Sequence, residues 1–156
     1  MANQVAARLS GDDYQHLTSW LHVLELMRPS RKVRLVTIED ENAGSADDVT
    51  ILHELGSSRF DRFYQIKFHV DQRSAYTTEI LTRTEGRGTS ILQKLFATWR
   101  KLKIQHDNDG FHIHFVSNWS WDPADKAGTA FSGRDNSVTD AFLSAGPGSD
   151  LGRVRQ

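Results

Sequence analysis

The chain contains no cysteine, which excludes a disulfide framework and a thiolate metal site alike. It has no apolar run of membrane-spanning length. The opening "MANQVAARLSGDD" lacks the apolar core of a secretory signal. The cytoplasm is therefore the expected location, with no membrane partner. No charge of one sign dominates: 19 basic residues stand against 20 acidic ones, for a formal net charge of −1. Long-range attraction to nucleic acid is thus absent, and phosphate binding would need a local basic patch. No internal repeat or long low-complexity tract interrupts the pattern.

What is present describes a globular protein. At 156 residues, 38% hydrophobic and 25% charged, the chain has the size and composition of one domain around one core. After "SGDD", whose side chains suit a helix cap, Tyr14, Leu17, Trp20, Leu21, Leu24 and Met27 recur at helical spacing until Pro29. Strands are expected at 32–39, 48–55, 62–70 and 111–119. "TSILQKLFATWRKLK" (89–103) predicts an amphipathic helix with an apolar stripe and a basic outer side. The first three strands can form an antiparallel meander, while the fourth needs the helix as a crossover. The spacing predicts an α/β domain with a four-stranded mixed sheet flanked by helices. The domain is expected over 1–143, with 144–156 ("SAGPGSDLGRVRQ") as a linker to a further domain.

One strand carries side chains that a buried strand should not. In "FYQIKFHV" (63–70), alternation puts Phe63, Gln65, Lys67 and His69 on one face. A buried ammonium requires an anionic partner. Asp47 and Asp48 open the preceding strand, and Glu39 ends the one before it. Carboxylates with an amide or carbonyl oxygen suit Mg²⁺, a hard cation that retains waters and contacts substrate phosphate. A nearby lysine could orient a water or stabilise developing charge. Phosphodiester hydrolysis is the reaction these parts serve most naturally. On spacing alone, a structural Lys–Asp pair at a strand end, with Gln65 bonded to a loop, carries more weight.

Several ordered motifs shift that balance. "GDDYQHLTSWLHVLELMRP", "IEDENAGSADDV", "FYQIKFHVDQR", "SILQKLFATWRKL" and "FVSNW" together resemble the DUF4297-type double-stranded DNA nuclease domain, from Gly11 to Trp119. "SGRD" (132–135) adds weaker support. That domain fronts the effector nucleases of CD-NTase anti-phage systems, occurs with ATPases in other bacterial defence systems, and belongs to the PD-(D/E)xK superfamily. The resemblance implies a restriction-endonuclease-like core and Mg²⁺, with Mn²⁺ as a substitute. It also implies Asp48 as the metal-binding aspartate, with Asp47 as its competitor. Gln65 stands in the place of the usual glutamate, Lys67 in that of the catalytic lysine, and Glu39 in that of an additional acid. The Ile66 carbonyl completes the metal set.

Other candidates are less sharply defined. Gln15, beside Tyr14, is either an auxiliary residue near the metal or an exposed helix glutamine. His112 and His114 share a strand face, but "HIHF" lacks the following Ser or Thr of a two-histidine phosphoesterase motif, so they read as structural. Arg87, Thr89, Ser90 and Lys94, around the start of the basic helix, are the residues favoured for DNA phosphates. Charge on a solvated helix face is the commoner explanation of the basic set. Paired cuts in double-stranded DNA would need two active sites, hence a homo-oligomer, and a sensor domain or ATPase is a further expected partner. The rival reading is a non-catalytic DNA-binding or assembly module that keeps the nuclease fold.

Overall fold

The computed structural model describes residues 2–71, 73–84, 88–106 and 110–125. They form two compact units. The first comprises 2–71, 92–106 and 110–118; the second comprises 73–84, 88–91 and 119–125. The expected linker at 144–156, the "SGRD" motif and Arg87 lie outside the described residues.

The first unit is built on a sheet of order β1-β2-β3-β4: β1 (Val33–Ile38), β2 (Val49–His53), β3 (Asp61–Lys67) and β4 (Phe111–Ser117). β1, β2 and β3 are antiparallel neighbours and β4 runs parallel to β3, as the connection lengths predict. Helix α3 (Ile91–Gln105) lies in the connection from β3 to β4. Both faces of the sheet are covered. On one, Phe63 packs with Ala43, Ala46 and Leu102 of α3. On the other, Val49, Ile51, Tyr64 and Ile66 pack with Tyr14 of α1 (Ala2–Val23). The period of two sends odd-numbered residues of β3 to the α3 face and even-numbered ones to the α1 face.

Helix α1 departs from the sequence expectation in two respects. It starts at Ala2 rather than after Ser10, because "ANQVAARL" is rich in strong helix formers. Ser10 lies inside the helix and its hydroxyl donates back to the Ala6 carbonyl at 3.0 Å. Apart from Tyr14, the expected apolar stripe also faces away from the sheet: Leu17, Trp20, Leu21 and, in the 3-10 turn that follows the helix, Met27 are each more than 60% exposed. The rest of the inward side is small and polar. Ser19 is buried, a Cβ added at Gly11 would stand 4.0 Å from the Phe68 Cβ, and the His22 ring lies 4.4 Å from that of Tyr64. Tyr14 is the aromatic that the helix adds to this face, packing on the Val49, Ile51, Tyr64 and Ile66 cluster and on the Phe68 ring at 5.6 Å.

The second unit holds α2 (Thr78–Thr82), a short helix that hydrophobic spacing missed. The Thr77 hydroxyl caps it by accepting from the Ile80 amide at 3.2 Å. Asp125 accepts from the Thr78 amide, and Tyr76 bridges Trp121 in a single parallel β-contact.

Candidate metal and phosphate site

The β1–β2 connection and the end of β3 bring Asp48 to Gln65 and Ile66, with Lys67 next along the strand. Ile38 pairs with Val49, and the pairing continues one step further, where the Glu39 amide donates to the Asp48 carbonyl at 3.2 Å. Glu39 adopts a left-handed backbone with φ of 55°, which turns the chain out of the strand. Asp40 caps the following 3-10 turn (Glu41–Ala43) by accepting from the Asn42 amide at 3.0 Å. The loop is then fixed to α3, since the Ser45 amide donates to the Thr98 hydroxyl at 2.8 Å. Gly44, with φ of 70°, lies so close to Thr98 that an added Cβ would meet its Oγ1 at 2.8 Å. These contacts place Asp48 at the mouth of β2.

Asp48 is the centre of the arrangement. Its Oδ2 accepts from the Gln65 side-chain amide and from the Ile66 backbone amide, both at 2.5 Å. Neither bond uses Oδ1. Burial pushes the carboxyl above the ordinary aspartate value. The Ile66 amide, the positive charge of Lys67 and the Gln65 amide oppose that shift, whereas neighbouring Asp47 reinforces it. Lys67 is exposed and lies on the same sheet face as Gln65, near enough for its charge to act on Asp48. Lys67 is exposed rather than buried, so the expected need for an anionic partner to a buried ammonium does not arise.

The remaining candidates are more dispersed. Asp47 is half-buried and its carbonyl accepts from the Asp40 amide at 2.7 Å. Glu39 is exposed, one hairpin step from Asp48. Gln15 lies on the inward side of α1, which covers the face opposite Gln65; its carbonyl accepts from the Ser19 hydroxyl. Thr89 is exposed and Ser90 is buried, at 3% exposure, and both belong to the second unit. Lys94 is exposed on α3 in the first unit, together with Arg100, Lys101 and Lys103.

His114 has the structural part expected of it. It stacks on Tyr64 with ring centroids 4.6 Å apart, and burial, then the neighbouring His112 and Arg62, hold its pKa down at about 4. His69 is joined through its backbone to Asn118, which accepts from the His69 amide and donates to its carbonyl. Sequence reading missed the network on the α1 face, where Glu25 accepts from Arg62 at 2.8 Å and contacts His22 at 2.9 Å. The one available signal was an arginine, Arg62, beside Phe63 and Tyr64 in the strand.

The donor set can be tested against a divalent ion. Asp48 offers an unshared oxygen, and Gln65 brings an amide group within bonding distance of the same carboxylate. Hard oxygen donors of this kind suit Mg²⁺. Among the described residues, no group of three or more His, Asp or Glu side chains converges to hold a metal. Any ion here would therefore rest on few carboxylates, with water and amide oxygen filling the remaining positions. No protein-family model and no curated protein matches the chain. Among the described residues, no helix is long and apolar enough to cross a membrane.

Proposed function

We propose that this protein is a metal-dependent endonuclease with a restriction-endonuclease-like core that hydrolyses phosphodiester bonds of double-stranded DNA, as an effector of bacterial defence. The observation that carries the reading is the convergence of Asp48, Gln65 and Lys67 at one strand end and on one face of the sheet. Asp48, with Glu39, Gln65 and the Ile66 carbonyl, would hold Mg²⁺, or Mn²⁺ in its place. The ion supplies charge neutralisation for the phosphate and a more acidic bound water. The Ile66 amide and the Gln65 side chain fix the orientation of Asp48 by occupying one of its oxygens. Lys67, exposed beside them, positions the attacking water and faces the charge that develops on phosphate, giving 3′-hydroxyl and 5′-phosphate ends. Exposed Lys94, Arg100, Lys101 and Lys103 of α3 suit backbone phosphates rather than base edges. The outward apolar stripe of α1 supports pairing with a second copy, which cleavage of both strands would require.

The test is cleavage of plasmid DNA in Mg²⁺ or Mn²⁺ by the wild type and by Lys67→Ala. Cutting that persists unchanged in the variant overturns the mechanism. A second reading, a nuclease-fold DNA-binding or assembly module without activity, is favoured by the absence of a third converging acid among the described residues. Thermal stabilisation by Mg²⁺ that Asp48→Asn abolishes would decide for the catalytic reading.

A further inference from the structure

A second polar concavity lies at the other end of the sheet, on the α1 face. Arg62 is five residues before Lys67 on β3, about 17 Å at the usual strand rise, and points to the opposite face. The cavity measures about 250 Å³, and Glu25, Arg31, His53, Arg59, Arg62 and His112 line it. Three arginines thus line it: Arg31 from the 3-10 turn Pro29–Arg31, and Arg59 and Arg62 from the β2–β3 connection and the start of β3. One carboxylate answers them within the lining. Glu25 binds Arg62 at 2.8 Å and shares its other oxygen with His22. The Arg59 guanidinium donates to the Ser30 carbonyl at 3.2 Å, a bond that fixes its position and leaves its charge unneutralised.

The positive field is felt inside the cavity wall. His53 is 6% exposed, and its pKa is lowered first by burial and then by Arg62, with Arg59 adding to the effect against the opposing pull of Asp61. Asp61 is itself engaged behind the wall, where it accepts from the His53 backbone amide at 2.7 Å. Arg62 Nε is buried without a hydrogen-bond acceptor, while His53 Nδ1 faces Asp61 Oδ1 at 3.6 Å. One side of the cavity is aromatic. The Phe60 ring packs on His112 at 5.0 Å, and Gly110 permits that position, since an added Cβ would stand 2.7 Å from Phe60 Cε1.

We propose that this cavity is an anion site for a phosphomonoester no larger than a mononucleotide, separate from the Asp48 centre. Arg31 and Arg59 supply the forked donors that match phosphate oxygens, and Arg62 holds the floor in place through Glu25. The volume sits at the low end of ligand cavities, which suits one phosphate with a small substituent. Phe60 and His112, tilted 51° to each other, give that substituent an aromatic wall.

The inference is independent of the nuclease reading, and its test uses the whole chain without divalent metal. Binding of inorganic phosphate and of adenosine monophosphate is measured by calorimetry and by the imidazole NMR signals of His53 and His112. Saturable binding of either is expected. Arg59→Gln and Arg31→Gln should each weaken it at least tenfold, while Lys67→Ala leaves it unchanged. Tighter binding of the nucleotide identifies the aromatic wall as part of the site; equal binding identifies phosphate alone as the ligand. Both arginine variants alter exposed side chains, so their folds are checked by circular dichroism. No saturable binding of either probe, or binding that both arginine variants retain at full strength, overturns the proposal.

Discussion

The Gln65 side-chain amide donates to Asp48 Oδ2 across the β2–β3 pair, and the next backbone amide on β3, that of Ile66, donates to the same oxygen. A carboxylate partly withdrawn from water is thereby oriented by two donors while its second oxygen is left outside both bonds. The chemical behaviour of the site follows from this pairing.

Asp48→Asn relieves the burial cost of the charge and keeps one oxygen able to accept both hydrogen bonds, so metal-free stability should change by less than about 1 kcal/mol. The metal response should disappear. In the wild type, Mg²⁺ at a hundred times its dissociation constant adds about 2.7 kcal/mol of stability. Thermal melts with and without Mg²⁺ measure both effects. Because burial raises the carboxyl pKa, the gain should also fade on acidification at a higher pH than an ordinary aspartate would give.

Gln65→Glu should sharpen the metal dependence. Without metal it replaces an amide donor by a second carboxylate facing Asp48, and like charges at that distance disfavour the fold. With Mg²⁺ the added charge increases affinity. Melts should show a lower Tm than wild type in chelator and a larger rise on adding metal. A variant that melts like wild type in both conditions would show that the two side chains do not share an ion.

Lys67→Ala should separate function from stability. The side chain is exposed, so unfolding midpoints should move by no more than about 0.5 kcal/mol. Plasmid cleavage should fall at least a hundredfold, the scale on which a positioned acid–base group acts.

His114 gives a pH signature unrelated to catalysis. Its pKa in the folded chain is about 4, against the ordinary 6.5, so the unfolded chain binds the proton more readily. Above pH 6.5 its contribution is constant. Stability is then lost as pH falls from about 6.5 to about 4, by roughly 1 kcal/mol once solvent screening is discounted. His114→Phe keeps the stack on Tyr64 and removes the titration. Urea midpoints across that range should fall less steeply for the variant.

Gly44→Ala tests the loop that carries Asp48. A side chain there must accept φ of 70° and displace Thr98, which holds the Ser45 amide. A loss of roughly 2 kcal/mol or more is expected in urea unfolding. Thr98→Val, which removes only the hydroxyl acceptor, should cost about 1 kcal/mol.

Alternation and connection length by themselves determined the sheet of this protein. A period of two put Gln65 and Lys67 on one face, and short links between three strands with a helix before the fourth imposed the mixed topology. These are local or chain-length constraints, so they can be read before anything packs. Tertiary structure decided the rest. Which side of α1 faces inward depended on what the sheet presented to it, and the cluster of Val49, Ile51, Tyr64 and Ile66 took Tyr14 together with the small and polar side of the helix rather than the rest of the apolar stripe. The cavity of Arg31, Arg59 and Arg62 was equally invisible beforehand, because Arg31 is distant in sequence from the other two and meets them only when the strands pair. The Asp48–Gln65 bond stands between the two cases: the sequence supplied both residues, but only strand register could bring them within 2.5 Å.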